Sequence, residues 1–154
     1  MSETGMVFSS RTSDDRFIAA AGSPRSALFA ALKCLTQHKS LYFGMDANIG
    51  SDIREIPLLG LPVPLGQGAA YLAYEARCPV VWYAMVRNGD SFAPSFSEGP
   101  ERTGKETFGE YADRFFQFAK TSIEGTFTGN PDNIVLKSYW LGRFARAGSR
   151  REPA

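Results

Sequence analysis

The spacing of apolar residues along the chain predicts three helices. Ser23-Pro24 is a favourable helix start, and the apolar residues after it recur at positions i, i+3, i+4 and i+7. This spacing predicts an amphipathic helix over residues 24–37. Small and apolar residues predict a second helix over about 67–77. An aromatic stripe with charges on the opposite side predicts a third helix over 105–124, with the stripe facing the core.

Continuous apolar runs predict the strands. Val80–Val86 is the strongest of them and is expected to be covered on both faces. Leu41–Met45 is a shorter run that suits a buried strand. Ser91–Phe96 is expected to lie at a sheet edge, because Pro94 has no N–H to donate to a neighbouring strand.

The order of these elements predicts the architecture. Helices alternate with strands, which indicates an α/β fold with a partly parallel mixed sheet flanked by helices. The length of 154 residues fits one domain, which we place at residues 1–145. Residues 146–154 form a polar tail that is predicted to be disordered.

The stretch IPLLGLPVPLGQGAAYLAYEA at residues 56–76 does not fit a simple element at its beginning. It is apolar but carries three prolines, each of which removes a donor from a strand ladder. We expect a rigid apolar segment without strand pairing, followed by a glycine turn that begins a helix. The segment is either a wall beside a ligand or a proline-stiffened crossover packed on the core.

Charge and cysteine content limit the function classes. The net charge is +1, which gives no support to nucleic-acid binding. Cys34 and Cys78 stand far apart in apolar surroundings and are predicted to be reduced, as in a cytoplasmic protein. No apolar run reaches transmembrane length, so any membrane contact is expected to be peripheral.

Several motifs in order resemble the bacterial lauroyl/myristoyl acyltransferases of lipid A biosynthesis and the wider glycolipid acyltransferase family. The matching pieces cover roughly residues 20–145. They are Leu41–Asp46, Ile56–Gly60, Gly66–Arg77, Cys78–Val81 and the ending Pro131, Trp140, Arg143 and Phe144.

The resemblance implies transfer of a fatty acyl group onto a glycolipid or lipid A-type acceptor at the cytoplasmic face of the inner membrane. The acyl donor would be an acyl-carrier-protein or coenzyme A thioester, with no bound cofactor and no metal. It also implies the C-terminal half of a glycerolipid-acyltransferase-like α/β fold. A separately encoded N-terminal half is a possible partner.

The catalytic motif of that family departs from this sequence. The family uses a histidine base with an acidic residue five positions later. The single histidine here is His38, and the residue five positions later is Phe43. The chain alone is therefore expected to be weakly active or inactive, and His38 fits better as a residue near a helix C-terminus.

The resemblance also suggests candidate site residues. Asp46 matches an active-site position at a strand end, while its simpler role is to cap a loop. Arg54 is a candidate phosphate ligand, although a solvated loop arginine is the favoured interpretation of it. Arg16 or Arg11 matches a family arginine. The turn Gly66, Gln67 and Gly68 precedes a helix N-terminus that could hold an anion, although close packing of the helix against the sheet is the favoured explanation of the glycines.

Two other functions remain open from the sequence. One is a non-catalytic binding module, either a degenerate relative or the partner of a split enzyme. The other is a small nucleotide-binding α/β domain, which the missing third glycine after Gly66 and Gly68 disfavours.

Overall fold

A computed structural model describes residues 24–44 and 52–129 of the chain. The described part is a mixed α/β structure of three helices and four strands. In chain order these are α1 (Pro24–Thr36), β1 (Ile53–Leu58), β2 (Leu61–Gly66), α2 (Gly68–Ala76), β3 (Val81–Asn88), β4 (Ser91–Glu98) and α3 (Phe108–Gly129).

The three predicted helices are confirmed, and the predicted sheet is not. The strands form two separate two-stranded sheets, β1–β2 and β3–β4, and both pairings are antiparallel. The expected parallel pairing has no support among the described residues, because each strand pairs with its chain neighbour through a two-residue turn. Leu41–Gly44 has no regular secondary structure, so the strand predicted there is wrong for these residues.

The proline-rich stretch forms a hairpin, contrary to the sequence-based expectation. The Gln67 N–H donates to the Asp52 carbonyl at 3.0 Å, which fixes which pairs of the ladder are hydrogen-bonded. Hydrogen-bonded and non-hydrogen-bonded pairs alternate in an antiparallel ladder. Pro57, Pro62 and Pro64 therefore all occupy non-hydrogen-bonded positions. Their missing donors point away from the partner strand, so the prolines leave the hairpin intact and block its outer edges.

The turn of this hairpin is held by α3. Leu59 and Gly60 form the two-residue loop with φ of 49° and 79°, as a type I′ turn requires. The backbone N–H of Leu59 donates to a Glu124 carboxylate oxygen at 2.8 Å. Lys120 forms an ion pair with the other oxygen of that carboxylate at 2.6 Å. This contact compensates for a non-glycine residue at positive φ.

The β3–β4 hairpin is more exposed than the sequence suggests. Gly89 takes φ of 62° at the first position of its two-residue loop. Residues on one face are exposed, and Tyr83 stacks obliquely on Phe96 directly across the ladder, with 5.4 Å between ring centroids. The expectation that β3 is covered on both faces is thus wrong. Pro94 on β4 lies at an outer edge, as predicted.

The core lies between the β1–β2 hairpin, α2 and α3. One face of the hairpin, one side of α2 and the aromatic stripe of α3 meet there. The stripe faces the core as predicted, with Tyr111, Phe115 and Ala119 buried and Phe118 half-buried. The other buried residues of this cluster are Ile56, Leu58, Val63, Leu65, Ala70, Ala73, Ala112, Phe116 and Ile123.

Two local features fix α3 against the rest of the fold. Its N-terminus is a capping box, in which the Thr107 N–H donates to Glu110 Oε2 at 2.8 Å and the Glu110 N–H donates to Thr107 Oγ1 at 3.4 Å. The Gly99 N–H donates to the Val80 carbonyl at 2.8 Å. A Cβ at Gly99 would lie 2.8 Å from Val80 Cγ1 and 3.1 Å from Phe118 Cε1, so β4 and α3 meet there at a distance that only glycine permits.

Candidate functional site

The described residues surround a cavity of about 1080 Å³. Its wall is formed by the end of α1 with the loop 38–44, one side of α2, the first residues of β3 and one side of α3. Protein interiors rarely contain voids much larger than a water molecule. The volume is close to that of small-molecule sites, which span about 300–1000 Å³.

Small side chains on two helices create this space. Ala69, Ala73 and Ala76 recur on the cavity side of α2, and Ala119 faces the cavity from α3. Aromatic residues complete the wall, and these are Tyr42, Phe43, Trp82, Tyr83, Phe115, Phe118 and Phe127. The lining is therefore mostly apolar, with room that alanine leaves between aromatic rings.

The charged groups that line the cavity within the described ranges have one sign. Lys39 and Arg77 are among the described lining residues, and no described Asp or Glu is. Both side chains are exposed, so the cavity reaches solvent beside them. Neither forms an ion pair with a carboxylate in the described part of the chain. An anionic group would be attracted to this end of the cavity.

The backbone at the cationic end is strained. Three non-glycine residues have positive φ in the described ranges, and two of them, His38 at 61° and Arg77 at 50°, line the cavity. Each follows the C-terminus of a helix, where a left-handed residue is usually glycine. Strain of this kind concentrates at functional sites.

Two further polar side chains stand in the wall. Trp82 Nε1 is buried and has no hydrogen-bond acceptor within residues 24–44 and 52–129. An unpaired buried donor costs free energy, so an acceptor on a ligand would be favourable there. Cys78 is half-buried, and burial raises the pKa of its thiol. The thiol therefore stays protonated at neutral pH and is a weak nucleophile.

The candidate glycine turn lies behind the cavity wall. A Cβ at Gly68 would be 3.4 Å from Phe43 Cζ, and Phe43 lines the cavity. Gln67 donates through its side chain to Asp52 Oδ1 at 2.6 Å. A carboxylate thus already lies beside the turn that Gly66 begins. The contacts favour close packing as the role of the glycines.

The candidate Arg54 lies away from the cavity. It forms an ion pair with Asp113 and its guanidinium lies 5.3 Å from the centroid of the Phe116 ring. Its charge is therefore compensated within the fold. Asp46 and Arg16, with Arg11, lie outside the described residues, and their predicted roles stay predictions.

His38 is the candidate base that the sequence disfavours, and it does line the cavity. Its side chain is exposed, and it follows the last turn of α1, where its N–H donates to the Leu35 carbonyl at 3.0 Å. No described carboxylate forms an ion pair with it. Sequence reasoning missed Lys39, Arg77 and Trp82. Only their positions after helix ends or within an apolar run mark them, and these signals do not distinguish them from other residues.

A second charged cluster near the start of α3 is structural. Arg114 binds Glu106 through two nitrogens at 2.7 and 2.8 Å, and this contact lowers the pKa of Glu106 to about 2. Arg102 lies 3.7 Å from the Tyr74 ring centroid and donates to the Tyr74 carbonyl at 3.0 Å. These contacts connect the segment before α3 to α2, and none of the four residues lines the cavity.

Comparison of the chain with protein-family models, curated proteins and solved structures found no match. Within the described ranges, no helix is long and apolar enough to cross a membrane. The same ranges contain no group of three side chains arranged to hold a metal ion.

Proposed function

We propose that this protein binds an anionic amphiphile of the fatty-acyl class, with an apolar chain in the cavity and a carboxylate or phosphate near Lys39 and Arg77. One observation carries the proposal. A mostly apolar cavity of about 1080 Å³ has two cations and no carboxylate among the described residues of its lining. In this role the chain acts as a binding module, which is one of the functions that its sequence leaves open.

Physical chemistry predicts how the affinity depends on the ligand. Each buried methylene contributes about 0.8 kcal/mol, so two added carbons should tighten binding by about 15-fold until the cavity is filled. The head group adds a charge-assisted contact, whose contribution is small because Lys39 and Arg77 are exposed. An exposed pair is worth at most about 1 kcal/mol, or about fivefold in affinity.

Titration calorimetry with octanoate, decanoate and laurate tests this function. Affinity should rise along the series, and dodecanol should bind more weakly than laurate. Arg77→Gln and Lys39→Gln should each lower laurate affinity, by up to about fivefold. Arg87→Gln is the matched control, because Arg87 is an exposed cation that does not line the cavity.

Two results would contradict the proposal. One is the absence of laurate binding at millimolar concentration. The other is equal binding of laurate and dodecanol in the parent chain and in both cavity variants, which would leave the cations without a role. Vesicles that contain anionic lipid test the predicted peripheral membrane contact separately.

Acyl transfer from a thioester to a glycolipid is the second candidate function. The observation that favours it is the exposed imidazole of His38 in the cavity lining. A general base contributes roughly 10²–10⁴-fold to such a reaction, and it usually needs an oriented partner. Because no described carboxylate pairs with His38, we expect weak turnover or none.

A labelled lauroyl thioester with a lipid A precursor tests this reaction. Robust turnover by the chain alone, abolished by His38→Ala, would make the protein an enzyme and His38 its base. Turnover that survives His38→Ala would require a different base. Laurate binding without turnover supports the binding module.

A further inference from the structure

The four strands differ in how their outer edges are protected. In β1–β2 the outward-pointing backbone groups include Pro57 on one strand and Pro62 and Pro64 on the other. In β3–β4 the Gly99 N–H donates to the Val80 carbonyl. This bond shows which residue pairs of the ladder are hydrogen-bonded, and it places Pro94 at an outward position of β4. Proline at such positions prevents another strand from pairing. Three of the four edges are therefore blocked.

The outer edge of β3 has no such protection. Its outward backbone groups belong to Val81, Tyr83, Met85 and Arg87. A two-stranded hairpin alone is marginally stable in water, and additional strands stabilise it. Every residue of β4 is exposed, so within the described ranges the β3–β4 hairpin has little cover.

We propose that two copies of this chain associate by antiparallel pairing of β3 with β3 of the partner, forming a four-stranded sheet in the order β4–β3–β3–β4. The proposal rests on the strand geometry and does not require the proposed ligand, although Val81 and Tyr83 also line the cavity. The occupant is a second copy because β3 can pair with its own copy about the small residue Ala84 without placing like charges opposite each other.

A twofold axis at Ala84 satisfies the constraints of an antiparallel ladder. It places Tyr83 opposite Met85 of the partner subunit and Val81 opposite Arg87 of the partner subunit. These residues exchange hydrogen bonds across the twofold axis, because their backbone N–H and C=O groups point away from β4. No charge then faces a like charge. Ala84 meets its own copy at a non-hydrogen-bonded pair, where the Cα atoms approach most closely and a small side chain fits.

This register also extends an exposed apolar surface. Val81, Tyr83, Met85, Phe92 and Phe96 form one exposed face of the hairpin. Pairing joins this face to the same face of the partner and brings the ring of Tyr83 against the side chain of Met85 of the partner subunit. Exposed apolar faces of this kind mark interaction sites. An extended peptide is the competing occupant, and it would leave the purified chain monomeric.

Sedimentation velocity of the full chain is the first test, and a dimer is expected. Met85→Pro removes one outward donor without disturbing the β3–β4 ladder, so this variant should be monomeric. Glu98→Pro is the matched control. It also places proline at an outward position, but on the edge that Pro94 already blocks, so it should remain a dimer.

Cross-linking tests the register. In a chain with Cys34→Ser and Cys78→Ser, mild oxidation should link Ala84→Cys to its copy. Val86→Cys should not form a link, because its copy lies four residues away along the ladder, or about 14 Å. Disulfide formation requires Cα atoms within about 7 Å.

Hydrogen exchange of the parent chain tests the β3–β3 pairing without any substitution, so the result does not depend on whether a variant folds. The amides of Tyr83 and Met85 should exchange slowly, and those of Phe92 and Phe96 quickly. A monomeric parent chain, a dimeric Met85→Pro variant, loss of the dimer in Glu98→Pro, or cross-linking at 86 in place of 84 would each overturn the proposal. Fast exchange at Tyr83 and Met85 would do the same.

Discussion

Pro57 lies directly opposite Pro62 in the β1–β2 hairpin, at a pair that exchanges no hydrogen bonds. Two prolines thus face each other in a ladder that remains regular on both sides of them. Position in the ladder, and not the number of prolines, decides whether a strand tolerates this residue.

The position of the prolines in the ladder predicts very different changes in stability for substitutions at the adjacent residues 62 and 63. Pro62→Val should change the free energy of unfolding by less than about 1 kcal/mol, because no ladder bond changes. Val63→Pro should cost more than about 3 kcal/mol, since it removes a ladder donor and a buried side chain. Urea unfolding measures both. Similar losses of stability in the two variants would show that the assignment of hydrogen-bonded and non-hydrogen-bonded pairs is wrong.

The contact of Gly99 with Val80 and Phe118 predicts a cost for one added methyl group. Gly99→Ala should destabilise the protein by about 1–3 kcal/mol, because the Cβ would be closer to Val80 than van der Waals contact allows. Gly104→Ala is the matched control. A Cβ at Gly104 meets nothing within 4 Å, so this change should be neutral or slightly stabilising. A neutral Gly99→Ala variant would contradict the packing of β4 against α3.

The positive φ of Arg77 and its place in the cavity lining predict that one substitution can raise stability and weaken ligand binding. Arg77→Gly relieves the left-handed backbone, which should raise the free energy of unfolding by about 0.5–1 kcal/mol. The same change should lower laurate affinity by about fivefold through loss of the charge. Thermal unfolding and calorimetry measure the two effects.

Leu59→Gly provides the control for Arg77. Leu59 has a comparable positive φ of 49° but does not line the cavity. It should gain stability without any change in affinity. An Arg77→Gly chain that binds laurate as tightly as the parent would remove Arg77 from the binding site.

Acid pH should destabilise the protein through its carboxylates. The contact with Arg114 lowers the pKa of Glu106 to about 2, and hydrogen bonds also lower the pKa values of Glu110 and Glu124. A lowered folded-state pKa means that the folded chain prefers the ionised form. The stabilisation is complete above the ordinary glutamate pKa of 4.5 and is lost as the pH falls towards 2.

Glu106→Gln tests the largest of these contributions by unfolding at several pH values. The variant should be less stable than the parent at neutral pH, and the difference should shrink as the pH falls below about 4. Burial raises the pKa of Tyr111 to about 12, so at the alkaline end stability should fall as the pH rises above 10. A constant difference between Glu106→Gln and the parent across the acid range would refute the Arg114 contact as its cause.

The sequence predicts helices well here, because helical periodicity and capping residues are local signals. Ser23-Pro24 and the stripe around Phe115 led to helices close to their observed positions. Strand pairing is not local. Three prolines argued against a hairpin, and only the observed register of Pro57 and Pro62 shows that a hairpin accommodates them.

The candidate site was less predictable than the fold. The predicted Arg54 forms a surface ion pair with Asp113 and lies over the Phe116 ring, which no spacing along the sequence encodes. Lys39 and Arg77 meet at one cavity because α1 and α2 both end beside it. Such convergence depends on how helices pack, and a single sequence contains no direct signal for it.

The hydrogen bond from Leu59 to Glu124 also bears on how the chain folds. It joins residues 65 positions apart. Closing so long a loop costs entropy before the contact can stabilise the chain. Hairpins and isolated helical turns form much faster than such long-range contacts. We therefore expect the β1–β2 turn to be held by α3 only after the rate-limiting step. Glu124→Gln should accelerate unfolding and leave the refolding rate unchanged, as stopped-flow kinetics would reveal.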